Sequence, residues 1–253
     1  MSSIAALTLT SMANDQARLD RVATNIANVQ TPGYKREIWV ARSGVAGTSF
    51  DQQLDQQLAS QLGVGRQASL SADMAAASIG RDMSVGTAKS TGRALDLSLA
   101  DRGFFEVATE HGPAYTRRGD FKVDARGRLT TADGLPVLGT GGEIALSDAH
   151  PRIDASGRIY EGDRQVAQIR VVDLPDEGLQ AQGHGLYTSN LPAVEIPVGK
   201  AGVRQGFLEN ANVDLASEMV GLTATMRHFE AMLRATQGRD ELLGTAIHKL
   251  GEV

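Results

Sequence analysis

The feature that most constrains this chain is an apolar stripe at helical spacing in its first thirty-odd residues. Between Ile4 and Gln30 there is no proline or glycine, and apolar side chains recur in steps of three, four or seven residues. The stripe consists of Met12, Leu19, Val22, Ile26 and Val29, with Asp15 at the one skipped position. A mean step of about 3.5 residues is typical of a coiled-coil seam. Residues 1–36 are therefore expected to form a helix that packs against another helix and ends at Thr31-Pro32-Gly33.

A second stripe with the same spacing lies at the other end of the chain. Its strongest part advances in alternating steps of four and three through Leu215, Met219, Leu222, Met226, Phe229 and Leu233. Glu218 falls near the predicted start of this helix, where a carboxylate suits the positive end of the helix dipole. We expect residues 201–253 to pair with the N-terminal helix, and both stripes to form an assembly interface.

Between the two stripes the hydrophobic period changes to two. Leu95, Leu97 and Leu99 alternate with polar residues, and glycine-containing turns follow one another every ten residues or so. This pattern predicts an antiparallel all-β domain over residues 93–200, joined to the first helix by an extended connector over residues 37–92. The predicted fold class is α+β, with coiled-coil-like terminal helices pairing as one domain around a central β domain.

One internal repeat lies inside the predicted β domain. The string Asp124-Ala-Arg-Gly-Arg-Leu129 recurs thirty residues later as Asp154-Ala-Ser-Gly-Arg-Ile159. In each copy Asp is expected to open a turn, Gly to take a positive φ, and Arg to begin the returning strand. Two copies are too few for a solenoid, so the repeat predicts two similar hairpins.

The composition gives no support to a catalytic or metal-binding function. The chain has no cysteine, and its five histidines lack metal-ligand spacing. Nucleophile and phosphate-loop motifs are also missing from the sequence. We therefore expect a protein that is not an enzyme, with no cofactor and no metal. No apolar stretch approaches the length of a membrane span, and no cleavable signal is expected.

A short basic segment offers the main alternative function. Arginine and lysine recur at Arg117, Arg118, Lys122, Arg126 and Arg128, beside Tyr115 and Phe121. Basic residues interleaved with aromatic ones can bind single-stranded nucleic acid. Asp120 and Asp124 interrupt the segment, however, and an alternating strand would place neighbouring charges on opposite faces. A solvated β surface, or an electrostatic contact with another subunit, is the favoured interpretation.

Several strings together resemble one known family. The N-terminal stripe runs into Asn25-Ile-Ala-Asn-Val-Gln-Thr-Pro-Gly-Tyr-Lys35, and the last helix follows Gly206-Phe-Leu-Glu-Asn-Ala-Asn-Val-Asp214. Between them stand Thr91-Gly-Arg-Ala-Leu-Asp-Leu97 and Tyr115-Thr-Arg-Arg-Gly-Asp-Phe121. In this order, over nearly the whole chain, they resemble the bacterial flagellar rod and hook proteins. The family motif at the first turn comprises Thr31, Gly33, Tyr34 and Lys35.

The resemblance implies a structural subunit that polymerises through its terminal helices into the rod crossing the periplasm. Implied partners are other copies, neighbouring rod and hook proteins, and the flagellar type III export apparatus, without nucleic acid or membrane insertion. Arg227-His-Phe-Glu230 resembles the proximal-rod type more than the distal-rod type. Asn25 and Asn28 have two interpretations. They cap the last carbonyls of the helix, or they fix the register between packed helices, as a buried Asn does in coiled coils.

Overall fold

A computed structural model describes residues 2–41, 77–148, 150–197 and 199–251 of the 253-residue chain. A helix lies near each end, α1 at Ser2–Ala27 and α2 at Leu215–Gly251, with strands between them. The α+β class is therefore confirmed at the level of two terminal helices and a β-rich middle. The part of the expected connector from residue 42 to 76 lies outside the described residues.

The described residues contain nineteen strands, most of them short, and every pairing between them is antiparallel. In chain order they are β1 Glu37–Ala41, β2 Ala77–Arg81, β3 Ala88–Ser90, β4 Leu97–Leu99, β5 Phe104–Thr109, β6 Gly112–Thr116, β7 Lys122–Val123, β8 Leu129–Thr130, β9 Leu138–Gly139, β10 Gly142–Glu143, β11 Arg152–Ile153, β12 Arg158–Glu161, β13 Arg164–Gln168, β14 Val171–Asp173, β15 Leu179–Gly183, β16 Leu186–Ser189, β17 Val194–Glu195, β18 Val203–Gln205 and β19 Phe207–Glu209.

The chain divides into two compact units, residues 1–36 with 83–253, and residues 37–82. In the second unit β1 and β2 form a two-stranded ribbon in which Glu37 lies opposite Arg81. Their side chains form an ion pair of 2.7 Å. No helix in the described part of the chain has the length and hydropathy needed to cross a membrane.

The core of the first unit is the β domain. A six-stranded sheet of order β15-β16-β6-β5-β14-β17 is accompanied by smaller pairings, including the three-stranded sheet β11-β12-β13. Phe105 is fully buried and packs edge-to-face against Phe121 at 5.2 Å between ring centroids, a favourable aromatic geometry. Pairing of β18 with β4, and of β19 with β3, brings the segment before α2 back to the start of the domain.

Both helices end or begin at residues with identifiable capping groups. Helix α1 stops at Ala27, a few residues before the predicted Thr31-Pro32-Gly33, because the N–H of Asn28 is shared between the carbonyls of Thr24 and Asn25. Such sharing tightens the last turn and leads out of the helix. Helix α2 begins after Asp214, whose Oδ1 accepts the N–H of Ala216 at 3.1 Å, as an N-cap carboxylate does.

The two copies of the internal repeat form the same turn, as predicted. Oδ1 of Asp124 accepts the N–H of Arg126 and of Arg128, both at 2.8 Å, and Gly127 has a φ of +78°. The second copy matches it. Oδ1 of Asp154 accepts the corresponding two N–H groups at 2.9 and 3.0 Å, and Gly157 has a φ of +79°. Each carboxylate thus supplies the acceptor that closes its turn.

We expect Asp124→Ala to lower the stability of the protein at neutral pH more than in acid. Hydrogen bonds donated chiefly by the Arg128 backbone N–H hold the pKa of Asp124 below its ordinary value of 3.8. A depressed carboxyl pKa stabilises the folded state above the unfolded pKa, and this stabilisation is lost as the pH falls through the folded value. Urea unfolding of variant and parent should therefore diverge at pH 7 and converge below about pH 4.

The matched control is Asp163→Ala, since Asp163 is an exposed residue between β12 and β13. Its loss of stability should be smaller, because the Asp163 side chain is exposed. An Asp124→Ala deficit that is the same at pH 7 and at pH 3 would contradict the role assigned to the ionised carboxylate.

Candidate functional site

The family-motif turn lies at a close approach between two stretches of backbone. Gly33 adopts a φ of +67°, and its N–H donates to the carbonyl of Glu209 at 2.8 Å. A Cβ added at Gly33 would lie 2.5 Å from the carbonyl carbon of Arg117. Glycine is needed here both for its backbone conformation and for the absence of a side chain. The turn after α1 is thereby fixed against the β domain and against the end of β19.

At the centre of this contact is the buried carboxylate of Glu209. One oxygen, Oε1, accepts from the Lys35 ammonium at 2.7 Å and from the Gly86 N–H at 2.8 Å. The other, Oε2, accepts from Nε of Arg117 at 2.8 Å. A terminal guanidinium nitrogen of Arg117 lies 2.6 Å from the same oxygen, as an ion-pair contact without hydrogen-bond geometry. We call Lys35, Arg117 and Glu209 the ionic junction.

The ionic junction is buried, and both of its cations also donate hydrogen bonds to backbone carbonyls. The three side chains are only 2–3 % exposed. Lys35 also donates to the Ser84 carbonyl at 2.6 Å, and Arg117 donates to the carbonyls of Asp101 and Gly103 at 2.8 and 2.7 Å. Removing charges from water costs several kcal/mol for each ion, which is compensated only when geometry and hydrogen bonds are nearly complete. This junction meets that condition.

A second chain of polar contacts connects the turn to both helices. The hydroxyl of Tyr34 donates to Oδ1 of Asn25 at 3.0 Å, and Nδ2 of Asn25 donates to the Glu218 carboxylate at 3.2 Å. Asn25 is completely buried and Glu218 is 7 % exposed. Through these two hydrogen bonds Asn25 connects α1 to the following turn and to α2.

A further polar contact joins the two helices closer to the middle of α2. Nδ1 of His228 lies 2.5 Å from Oδ2 of Asp15, whose side chain is 3 % exposed. Asp15 and Asn25 are ten residues apart on α1, and their respective partners His228 and Glu218 are ten residues apart on α2. The two contacts therefore specify a single antiparallel register between the helices.

The predicted stripes differ in how far the structure covers them. On α1, Val22 is buried, and Met12, Leu19, Ile26 and Val29 are half-buried. Of the positions predicted for the α2 stripe, Leu222 and Phe229 are half-buried. The other four predicted positions are exposed to between 38 and 55 %, and we call them the outer stripe: Leu215, Met219, Met226 and Leu233.

The face of α2 that is covered contains polar as well as apolar residues. We call it the inner face, and it consists of Glu218, Leu222, Thr225, Phe229, Met232 and Thr236, all buried or half-buried. The contacts of Asn25 and Asp15 with α2 lie along this side of the helix. The outer stripe, the more apolar of the two, has no covering element in the described part of the chain.

Asn28 behaves differently from Asn25. Its Nδ2 donates to the Thr24 carbonyl at 2.9 Å, and its Oδ1 accepts from the hydroxyl of Thr31 at 3.2 Å. These are local contacts at the end of α1, as the capping interpretation predicts. The family-motif residue Thr31 is thus connected to the helix end, whereas Gly33, Tyr34 and Lys35 make the long-range contacts.

The basic segment is largely neutralised by neighbouring carboxylates. Arg117 is part of the ionic junction and 3 % exposed. Arg118 forms ion pairs with Asp120 at 2.8 Å and Asp133 at 3.0 Å, and hydrogen bonding to Asp120 raises the pKa of Arg118 further above its ordinary value. Arg128 pairs with Asp124 at 2.9 Å. Three of the five basic residues are therefore paired within the chain and do not contribute free positive charge to a surface.

The sequence did not predict the partners in two contacts, that of Glu209 with Arg117 and that of Asp15 with His228. Glu209 and Arg117 stood inside strings that carry the family resemblance, but nothing in the strings indicated that they meet. The interruption of the α1 stripe at Asp15 was the one visible signal for its contact, because a buried carboxylate in a seam requires a partner. No cluster of three or more potential metal ligands occurs among the residues that the structure describes.

Comparison with known proteins gives a consistent result along the chain. Residues 9–35 match the family model "Flagella basal body rod protein", residues 99–173 match "Flagellar hook protein FlgE/F/G D1 domain", and residues 204–248 match "Flagellar basal body rod FlgEFG protein C-terminal". The ionic junction takes Lys35, Arg117 and Glu209 from one matched segment each.

Full-length relatives agree with the family models. The flagellar basal-body rod protein FlgG of Bacillus subtilis is 31% identical, over 93% of this chain and 94% of the relative. The flagellar basal-body rod protein FlgF of Caulobacter vibrioides is also 31% identical, over 93% of this chain and 92% of the relative. FlgF of Escherichia coli is 29% identical over 88% of each chain.

Glu209→Gln is expected to lower the free energy of unfolding by about 3–5 kcal/mol, because it leaves Lys35 and Arg117 buried without a counter-charge. Equilibrium denaturation of the isolated protein measures this loss. Glu110→Gln, at an exposed turn between β5 and β6, should change stability by less than about 0.5 kcal/mol. Adding Lys35→Met to Glu209→Gln should recover part of the loss; further destabilisation by the second change would contradict a charge-based junction.

Gly33→Ala is expected to be much more destabilising than Gly92→Ala. Both glycines have nearly the same positive φ, +67° and +70°, so the conformational penalty of about 1–2 kcal/mol is shared. Only at Gly33 would the new Cβ overlap backbone atoms of Arg117, whereas nothing lies within 4 Å of that position at Gly92. Thermal unfolding of both variants makes the comparison, and equal shifts in Tm would show that the close approach at Gly33 carries no energetic weight.

Proposed function

This chain belongs to the family of flagellar basal-body rod proteins of the FlgF and FlgG kind, and we propose that it polymerises into the rod through the outer stripe of α2. Members of this family are structural proteins that assemble with other rod and hook subunits. The subunit would form part of the drive shaft that crosses the periplasm, with its terminal helices in the rod core and its β domain outside them.

The exposure of the outer stripe is the observation that supports this proposal. Met219 and Met226 are 55 and 48 % exposed, and Leu215 and Leu233 lie on the same side of the helix. Burying a fully exposed side chain of this kind contributes about 1.5–3 kcal/mol, and these half-exposed side chains would gain part of that. Four such side chains along one helix therefore make contact with a neighbouring helix energetically favourable.

The proposed occupant of the outer stripe is a terminal helix of another copy or of a related rod subunit. The stripe has the spacing of a helix-packing seam, which an apolar row on another helix can match. The α1 stripe residues would hold α2 in place through its inner face within the same subunit. Contacts of this head-to-tail kind build open filaments when the rotation between copies does not close.

Within the family we propose the FlgF type, that of the proximal rod. The support is the string Arg227-His-Phe-Glu230, which resembles the Arg-x-Phe-Glu of FlgF more than the corresponding string of FlgG. His228 in that string is the residue that contacts Asp15. We propose export through the flagellar type III apparatus without cleavage of a signal, as the family implies.

One genetic experiment tests both parts of the proposal. The chain is expressed in two mutant strains of another flagellated species, one lacking that species' FlgF and the other lacking its FlgG. Restored swimming only in the strain that lacks FlgF would support the proximal-rod assignment. Restoration only in the other strain would reassign it to the distal rod.

In the strain that responds, Met219→Gln with Met226→Gln should abolish swimming and rod incorporation, because polar side chains weaken the proposed seam. The control, Ala224→Gln with Ala231→Gln, introduces two glutamines at exposed positions on the opposite side of α2. It is expected to retain more motility. Circular dichroism should show equal helix content in all variants. Normal swimming of the Met219 and Met226 double variant would refute assembly through the outer stripe.

A further inference from the structure

The sequence favours a different face of α2 from the one that contacts α1. By apolar spacing alone, the stripe that contains Met219, Met226 and Leu233 would be the face buried against another helix. In the structure the inner face is covered, and these three residues are exposed. Leu222 and Phe229 belong both to the stripe predicted from the sequence and to the inner face. The centres of the two rows lie roughly 70° apart around the helix, at 100° per residue.

The contact between Asp15 and His228 distinguishes these two packings. His228 lies on the far side of the inner face from the outer stripe, roughly 150° around α2 from the centre of that stripe. Turning the outer stripe onto α1 would therefore carry His228 away and leave the buried Asp15 carboxylate with the longer contact of 4.0 Å to the exposed Arg18 side chain. A buried carboxylate that loses its short contact and keeps only a long one is unfavourable.

The position of Asp15 in α1 has the same effect. It interrupts the α1 stripe at the position that would otherwise complete a row of apolar residues from Met12 to Val29. A complete apolar row on α1 would match the outer stripe of α2 better than the inner face, which carries Glu218, Thr225 and Thr236. The carboxylate thus penalises the alternative packing and stabilises the observed one.

We propose that Asp15, paired with His228, is a specificity-determining residue that keeps the outer stripe of α2 turned away from α1. Without it, the hydrogen bond from Asn25 to Glu218 does not suffice to hold the inner face against α1, and α2 rotates about its axis and buries the stripe within the subunit. The meaning of this arrangement rests on the proposed function, since a subunit with an internally buried stripe has no seam to offer to a neighbour. The rotation itself is a property of the isolated subunit and is testable without a rod.

Three methionines of α2 report the rotation directly. Met219 and Met226 lie in the outer stripe, and Met232 lies in the inner face. Oxidation of methionine to the sulfoxide by peroxide follows solvent exposure, and mass spectrometry measures its rate at each residue. Asp15→Leu should slow oxidation of Met219 and Met226 several-fold and should speed oxidation of Met232, in the full-length subunit at low concentration.

Two control variants separate this effect from a general change in α1. Asp15→Asn keeps an acceptor for His228 and should leave all three rates near those of the parent. Asp20→Leu places the same apolar side chain on the exposed side of α1 and should also leave them unchanged. Met83, which packs against the β domain, is the internal reference.

Each remaining outcome overturns the proposal. Unchanged rates in Asp15→Leu would mean that Asp15 does not select the face of α2. A rise at all sites, including Met83, would mean that the subunit has no second helix packing and simply unfolds. The proposed function is tested separately. It fails if Met219→Gln with Met226→Gln still assembles into rods, even when Asp15→Leu gives the expected oxidation pattern.

Discussion

The carboxylate of Glu209 is the point on which the rest of the first compact unit depends. It joins residues that are 174 and 92 positions away in the chain, Lys35 and Arg117. Contacts between such distant segments close long loops, and the entropy lost in closing them must be recovered from the contacts themselves. A fully buried pair of cations around one carboxylate is an unforgiving solution, because any incomplete version of it is worse than none. It therefore forms only when all three segments are in place.

This requirement explains how the helices come to be neighbours. The turn after α1 and the end of β19 are held together at the Gly33 N–H and the Glu209 carbonyl, so α1 leaves the β domain beside the point where α2 begins. Because the end of α1 and the start of α2 adjoin the same point, the two helices can pack side by side. Their chain directions are opposite, and the contacts of Asn25 and Asp15 with α2 then select one register.

Local features of the sequence predicted local features of the structure well. The period of the stripes predicted both helices, alternation and glycine predicted the β domain, and the repeat beginning at Asp124 and Asp154 predicted two equal turns, since each of these depends on a few neighbouring residues. The ionic junction could not be predicted in this way. Lys35 and Glu209 are ordinary surface-type residues by composition, and only the assembled fold removes them from water.

The choice of face on α2 shows the same limit and gives it a physical meaning. Periodicity identifies an apolar row, but it cannot say whether the row is satisfied inside the subunit or by another molecule. An isolated protein would gain most by burying that row against α1, and the observed packing instead places Glu218 and Thr225 there and leaves Met219 exposed. Hydrophobic burial is not directional, so it cannot by itself select the less apolar face. Directional contacts can, and Asp15 with His228 is such a contact, placed where the apolar row of α1 is interrupted.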